Sequence, residues 1–233
     1  MRPAAAPRGA GRAPPAASLA THAAAGGGAA PTAGKTLHCL RHGQSEINAY
    51  FNLHRYGSPH SEPLRDPLLW DARLTDGGLA AAGAAAPAVA ALRPDVVLVS
   101  PLARALQTAV AAAAGCGRVR IEAHPLLRER LLLSSEVGRR RSELEVEFPS
   151  VDFSALGDGD ACWWWPQASR APGAAVAQEP PEAYAARLPA LRALLAARPE
   201  RVLLLVSHAG VLAHLTGVDL PPCGLTTRDG WLG

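Results

Sequence analysis

Four segments of this chain place reactive side chains shortly after runs of apolar residues. Arg41 and His42 follow the first run directly, and Arg104 lies five residues beyond the second. Glu129 comes after the third run, and His208 comes after the fourth. Two imidazoles, two guanidinium groups and a carboxyl group form a set that can transfer a phosphoryl group.

Each member of this set has a role in such a reaction. A neutral His42 can attack phosphorus and form a covalent intermediate, which divides one difficult displacement into two. The transition state carries negative charge on the phosphoryl oxygens. Arg41, Arg104 and a protonated His208 would donate hydrogen bonds to those oxygens. Glu129 would protonate the leaving oxygen and later activate water, so no cofactor or metal is expected.

Three assignments stay open within these segments. Gly43 is a candidate for substrate binding because a glycine lets the backbone approach a phosphate closely. Asn48 either contacts the substrate or caps a turn. Glu129 stands between two arginines and could instead form a surface ion pair, and Glu136 is a rival for the acid.

The apolar runs themselves predict the elements that hold these residues. Four strands are expected at 36–40, 96–99, 119–121 and 202–206, with helical stretches between or after them. Alternating strands and helices indicate a three-layer α/β/α sandwich with a mostly parallel central sheet. In such a sheet, ligands bind at the carboxyl ends of the strands, so the four segments should converge at one edge.

Three helices have recognisable signals. Apolar residues recur at helical spacing over 184–195. Ser100 and Pro101 are typical of an N-cap and a first helical residue. The stretch 79–92 is typical of a helix, although Pro87 should kink or end it unless it falls in a first turn.

Five motifs, in their order along the chain, resemble those of the histidine phosphatase superfamily, which includes the cofactor-dependent phosphoglycerate mutases. The likeness spans roughly residues 36–217. The motifs are LRHGQSEIN at 40–48, LTDGG at 74–78, SPLARALQTA at 100–109, LRE at 127–129 and VSHAG at 206–210.

This resemblance implies a phosphoglycerate mutase-like fold and specific roles. His42 would be the phosphorylated nucleophile and Glu129 the proton donor, while Arg41, Arg104 and His208 would form the phosphate pocket. The expected activity is hydrolysis of a small phosphomonoester. Mutase-like phosphoryl transfer is an alternative, although the long segment 50–73 departs from the mutases. A non-catalytic module that holds phosphate is a third possibility.

The composition and charge of the chain argue against some other classes of protein. The first 35 residues hold four basic residues and no acidic one, while the whole chain has a net charge of +3. The domain expected at 36–233 is therefore near neutral, which argues against nucleic-acid binding. Residues 1–35 are rich in alanine, glycine, proline and arginine, so we expect a disordered tail on a cytoplasmic enzyme. The alternative is that these residues are a transit peptide that directs the enzyme to an organelle.

Other signals are weaker. The four cysteines are scattered and are expected to be reduced thiols. The histidines lack the spacing of a metal site, and no apolar run is long enough for a membrane span.

The region 131–180 holds Trp163, Trp164 and Trp165 among glycines and prolines. We expect an insertion there, over the sheet edge or a pocket, with the tryptophans used for packing.

Overall fold

The computed structural model describes residues 34–56, 65–166 and 176–231. All but the last two residues of the expected disordered tail therefore lie outside the described residues. A six-stranded sheet forms the centre of the molecule. Its strands are β1 (Lys35–Arg41), β2 (Val96–Val99), β3 (Arg120–Ala123), β4 (Val151–Asp152), β5 (Val202–Ser207) and β6 (Leu225–Trp231).

The sheet is mostly parallel, as predicted. Its strand order is β4-β3-β2-β5-β1-β6, and only β6 runs antiparallel to its neighbour β1. All four residues of β2 are buried, and so are the last five of β5. Continuous apolar runs of this kind are typical of parallel strands covered on both faces.

The four predicted strands are all present, and two further strands were not predicted. β4 is only two residues long, which is too short for a periodic pattern. β6 contains Thr226, Thr227, Arg228 and Asp229, and its central residues are exposed. A polar strand at the sheet edge lacks the apolar run that identified the others.

Seven α-helices occur in the described residues. They are α1 (Glu46–Leu53), α2 (Asp76–Ala84), α3 (Ala86–Ala91), α4 (Ala103–Ala112), α5 (Arg141–Glu147), α6 (Pro181–Ala197) and α7 (Ala209–Thr216).

Helices cover both faces of the sheet. On one face α3, α4 and α5 contribute Val89, Leu106 and Leu144 to a large apolar cluster. On the other face α6 and α7 contribute Leu191 and Leu212 to a second cluster. The predicted three-layer α/β/α sandwich is thus confirmed.

The helix predictions have different outcomes. The apolar face of α6 is buried at every predicted leucine. Pro87 lies in the first turn of α3, directly after a break at Ala85, where a missing N–H breaks no helical hydrogen bond. The prediction for α4 was wrong, because the helix begins at Ala103 rather than Pro101. The Ala103 N–H is capped from a distant loop, by Asp71 Oδ1 at 2.9 Å.

The region 131–180 is described at residues 131–166 and 176–180, and this part contributes a strand to the sheet. It contains β4, which pairs with β3 at the sheet edge, and α5. Trp163 is buried and donates a hydrogen bond of 2.7 Å from Nε1 to the carbonyl of Arg139. In the part of the chain that is described, no helix has the length and apolarity needed to cross a membrane.

Candidate active site

The carboxyl ends of three neighbouring strands bring the predicted side chains together. His42 follows β1, Ser100 follows β2 and His208 follows β5. Backbone pairing continues past the strands: His42 N donates to Ser207 O and Ser100 N donates to Val206 O, both at 3.0 Å. The segments are therefore held in register where the side chains leave the sheet.

His42 is buried and has one ring nitrogen committed to the backbone. Its Nδ1 donates a hydrogen bond of 2.7 Å to the carbonyl of Gly43. Burial and the nearby charges of Arg104 and Arg41 hold the pKa of His42 well below its usual value, and the bond to Gly43 opposes them only in part. The imidazole is therefore neutral at pH 7, and its Nε2 is unprotonated and could act as a nucleophile.

His208 faces His42, with 5.0 Å between the ring centroids. Its Nε2 lies 2.7 Å from Ser100 Oγ, and its Nδ1 is buried without a hydrogen-bond partner among the described residues. Burial, with Arg104 and His42, keeps the pKa of His208 well below its usual value. When the Ser100 hydroxyl donates to Nε2, Nδ1 carries the proton and becomes a free donor.

Arg104 lies in the first turn of α4 and is only 2% exposed. Its Nη1 donates to the carbonyl of Ser135 at 2.7 Å, and its Nη2 pairs with Glu136 Oε1 at 3.3 Å. The third nitrogen, Nε, is buried and has no partner within the described residues. Two contacts thus fix the guanidinium plane and leave the Nε donor available.

Arg41 is fixed in a similar way. Its Nη1 donates a hydrogen bond of 2.6 Å to the carbonyl of Leu220, and its buried Nε has no described partner. Burial lowers the pKa of Arg41, against the attraction of Asp219 and Glu129, but a guanidinium group stays protonated in proteins. Arg41 therefore offers a second charged donor.

Three of the unpaired donors share one end of the sheet. Five buried side-chain atoms have no hydrogen-bond partner among the described residues, and three of them are Arg41 Nε, Arg104 Nε and His208 Nδ1. The other two are Arg139 Nη2 and Tyr184 Oη. Because leaving a buried donor unpaired costs about 1–3 kcal/mol, three together indicate a site prepared for an anion.

Glu129 lies against the start of α7. Its Oε2 accepts a hydrogen bond of 3.0 Å from Gly210 N, and its Oε1 accepts one of 2.9 Å from Arg130 N. Ser207 Oγ donates to Leu127 O at 2.7 Å, which ties the loop before Glu129 to the end of β5. The carboxylate is therefore held beside the helix that follows His208.

The described residues contain no ion pair between Glu129 and the two arginines that flank it. Arg128 makes two hydrogen bonds of 2.9 Å to the carboxylate of Glu179 instead. The Nε of Arg130 donates to the backbone carbonyl of Glu179 at 2.9 Å. The guanidinium groups of both flanking arginines are thus bonded to Glu179 and form no salt bridge with Glu129 among the described residues.

The rival acid Glu136 is occupied on both oxygens. Oε1 accepts a hydrogen bond of 2.6 Å from Ser135 Oγ as well as the contact from Arg104, and Oε2 accepts from Leu133 N at 3.0 Å. Burial raises the pKa of Glu136, although Arg104 opposes the shift. Glu129 also accepts two hydrogen bonds, but both come from backbone N–H groups, and it has no salt bridge among the described residues. The salt bridge to Arg104 therefore makes Glu136 a support for that arginine and leaves Glu129 as the better candidate for the acid.

Two predicted substrate-binding residues have local structural explanations. A Cβ on Gly43 would lie 2.6 Å from Gly78 O, so the close approach to α2 already requires a glycine at this position. The Gly43 N–H donates to Thr108 Oγ1 at 3.0 Å. Asn48 Oδ1 accepts from Ser45 N and Oγ, at 3.2 and 2.9 Å, and so caps α1.

Two positions that support the site were not predicted from the sequence. Ser100 was assigned as a helix cap, but its hydroxyl orients His208, and only the pairing of β2 with β5 shows that they are neighbours. Asp71 accepts a hydrogen bond from the N–H of Ala103, the residue before Arg104 at the start of α4. Asp71 also pairs with Arg139 Nε at 2.8 Å. No local sequence signal marks this contact, because Asp71 and Ala103 are far apart along the chain.

Comparisons with known proteins place this arrangement in a family. The sequence profile of the Histidine phosphatase superfamily (branch 1) matches residues 37–221. A search of curated proteins found no match.

Among solved structures, one from Escherichia coli, assigned as an alpha-ribazole-5′-P phosphatase, has a TM-score of 0.54 and 22% identity. The alignment covers 84% of this chain and 90% of that one. Mycobacterial hydrolase 1 has a TM-score of 0.51 and 23% identity, over 83% and 90% of the two chains.

The ecdysone phosphate phosphatase of Bombix mori, solved with tungstate, has a TM-score of 0.51 and 15% identity, over 84% and 89%. At these identities the structures demonstrate a shared fold and no more. The sequence profile covers well over half of the chain and includes every candidate residue described above. On that match, this chain belongs to branch 1 of the histidine phosphatase superfamily.

Proposed function

We propose that this protein is a phosphatase that hydrolyses a small phosphomonoester through a covalent phosphohistidine at His42. One observation carries the proposal. Three buried nitrogens, on Arg41, Arg104 and His208, have no hydrogen-bond partner in the described part of the chain, and they accompany a neutral imidazole whose Nε2 is unprotonated. Donors of this kind match the oxygens of a phosphoryl group, and the imidazole supplies the nucleophile.

In the first half-reaction His42 Nε2 attacks phosphorus while the bond to the ester oxygen breaks. The electron pair of that bond leaves with the oxygen, and protonated Glu129 gives it a proton. Arg41, Arg104 and His208 donate to the remaining phosphoryl oxygens as negative charge develops there. The arrival of the dianion also favours the protonated form of His208, because an opposite charge stabilises the imidazolium.

In the second half-reaction a water molecule attacks phosphorus, and the Glu129 carboxylate takes its proton. The N–P bond breaks, and its electron pair returns to His42. Inorganic phosphate is released and Glu129 is again protonated. The two arginines supply the positive charge for both steps, so the proposed reaction needs no metal ion.

A phosphate-release screen tests the proposal. The panel contains sugar phosphates, phosphoglycerates, nucleotides and phosphopeptides. His42→Ala is the test variant, and His214→Ala is the control because His214 is an exposed histidine at the other end of α7. We expect release by the wild type and the control, with at least a thousandfold loss in His42→Ala.

Three results would overturn the proposal. Unchanged release by His42→Ala would exclude the phosphohistidine route. No release by the wild type on the whole panel would indicate a phosphate-binding module. Rapid isomerisation of a phosphoglycerate with a bisphosphate primer, without net release, would replace hydrolysis by mutase-like transfer.

A further inference from the structure

A tyrosine from α6 lies beside the candidate acid. A Cβ built on Gly210 would meet Glu129 Oε1 at 2.7 Å and Tyr184 Oη at 3.2 Å. The carboxylate and the phenol therefore lie next to the same stretch of bare backbone, at the start of the helix that follows His208. None of the roles assigned above uses the Tyr184 hydroxyl.

This hydroxyl is buried and has no hydrogen-bond partner among the described residues. Burial, reinforced by the negative charge of Glu129, raises the pKa of Tyr184 to about 12. The group therefore stays protonated at neutral pH and can donate a hydrogen bond. Phenylalanine would fill the same space without the penalty of an unpaired buried hydroxyl, so packing alone does not explain a tyrosine here.

The ring of Tyr184 is held in place by its neighbours. The guanidinium carbon of Arg187 lies 4.6 Å from the ring centroid. Arg187 is itself fixed by hydrogen bonds to the carbonyls of Leu126 and Arg128, at 2.9 and 2.7 Å, and to Glu179 at 3.2 Å. The hydroxyl is thus preorganised, which reduces the entropy lost when it binds a partner.

We propose that Tyr184 donates a hydrogen bond to the oxygen that Glu129 protonates. This inference rests on the proposed phosphatase function and adds a catalytic residue to it. During P–O cleavage the ester oxygen gains negative charge, Tyr184 stabilises that charge, and the proton comes from Glu129. Tyr184 keeps its own proton throughout.

The proposal also defines a substrate class. Two donors at the leaving oxygen are useful when the departing alkoxide is strongly basic, as in phosphate esters of aliphatic alcohols. A phenolate stabilised by a nitro group leaves without such help. Tyr184 therefore indicates an aliphatic phosphomonoester as the substrate.

The test compares leaving groups in Tyr184→Phe. We measure kcat/KM, which reports the steps through P–O cleavage, for 4-nitrophenyl phosphate and for the best aliphatic phosphomonoester of the release screen. The expected loss is 10- to 100-fold for the aliphatic ester and less than threefold for the aryl ester. Glu129→Gln should show the same bias more strongly, because it removes the proton itself.

Stability separates this role from a structural one. Removing an unpaired buried hydroxyl should leave the Tm of Tyr184→Phe equal to or above that of the wild type. Tyr56→Phe is the matched control, since its hydroxyl accepts an exposed hydrogen bond from Arg65 N. It should leave the ratio of the two kcat/KM values unchanged.

Equal losses on both esters with a lower Tm would assign Tyr184 to packing and overturn the inference. Wild-type rates on both esters would overturn it as well. In both cases the wild type remains an active phosphatase, so the proposed function stands. If the wild type hydrolyses neither ester and nothing in the screen, the proposed function fails and Tyr184 loses its role with it.

Discussion

The carboxylate of Glu129 rests on the backbone N–H of Gly210, with 3.0 Å between Oε2 and N. The contact joins the loop after β3 to the first turn of α7, and α7 begins directly after His208. It is possible only because position 210 has no side chain, since a Cβ would lie 2.7 Å from Glu129 Oε1. The candidate acid and His208 are therefore linked through one glycine.

Gly210→Ala should separate activity from stability. Alanine stabilises a helix by about 1 kcal/mol relative to glycine. The new Cβ would displace the carboxylate of Glu129, which is the mobile end of a side chain, so we expect an equal or higher Tm. The displaced Glu129 loses its hydrogen bond to residue 210, and kcat should fall at least tenfold on an aliphatic phosphomonoester. Thermal unfolding and steady-state kinetics measure the two effects.

Gly83→Ala is the control for this prediction. Gly83 lies in α2, and a Cβ there meets nothing within 4 Å. The control should gain stability and keep the wild-type rate. A fully active Gly210→Ala would show that the position of Glu129 does not matter.

Stability should fall at acidic pH because of the two buried imidazoles. The pKa values of His42 and His208 are held well below the ordinary value of 6.5 in the folded state. Below about pH 6.5 these two histidines bind protons in the unfolded chain but not in the folded chain, so the free energy of unfolding decreases as the pH falls. Above that pH both states are neutral and the contribution is constant. Each histidine can add a slope of up to about 1.4 kcal/mol per pH unit.

Urea unfolding between pH 7.5 and 5, in buffers without phosphate, measures this slope. His208→Gln should flatten it, while His214→Gln, at an exposed position, should not. Identical slopes for His208→Gln and the wild type would contradict the burial argument.

Inorganic phosphate should stabilise the folded protein through the unpaired donors. A ligand at 100 times its Kd adds about 2.7 kcal/mol to the free energy of unfolding. Arg104→Gln removes the charge and the Nε donor, so we expect at least a tenfold weaker Kd. Thermal unfolding across a phosphate titration measures both quantities.

Arg118→Gln is the matched control, because Arg118 is exposed and lies just before the amino end of β3, whereas the proposed anion site is at the carboxyl ends of the strands. It should retain the full stabilisation. Equal phosphate stabilisation in the Arg104 variant and the wild type would remove Arg104 from the anion site.

Asp71 should matter for both stability and phosphate affinity. Asp71→Ala leaves Arg139 and the Ala103 N–H without their buried acceptor, and breaking one side of a buried pair costs about 3–5 kcal/mol. Phosphate affinity should also fall, because the start of α4 carries Arg104. Urea unfolding and phosphate titration test this.

Two variants calibrate the Asp71 result. Asp71→Asn keeps an oxygen for Ala103 N and should recover part of the phosphate affinity. Glu147→Ala removes the other, more exposed partner of Arg139, together with its two hydrogen bonds to Arg73, and should cost less than Asp71→Ala because these charges are closer to solvent. A loss for Asp71→Ala no larger than for Glu147→Ala would contradict the proposed support of α4.

The sequence predicted the parts of this molecule that depend on local pattern. The buried strands are continuous apolar runs, and the side chains of the proposed anion site lie at or within five residues of their carboxyl ends, so the strand order brings them to one end of the sheet. β6 escaped prediction because an exposed edge strand is polar. The contacts of Asp71 with Ala103 and of Glu129 with Gly210 join residues 32 and 81 positions apart. Contacts at such separations depend on the folded backbone and leave no periodic signal.

The most direct test of the central claim is the location of the phosphoryl group in a trapped intermediate. The enzyme is mixed with a labelled phosphomonoester, quenched in alkaline denaturant and mapped by mass spectrometry. We predict an adduct that survives base, is lost in acid, maps to His42, is present in His214→Ala and is absent from His42→Ala. Label on another residue, or label retained in His42→Ala, would contradict the account.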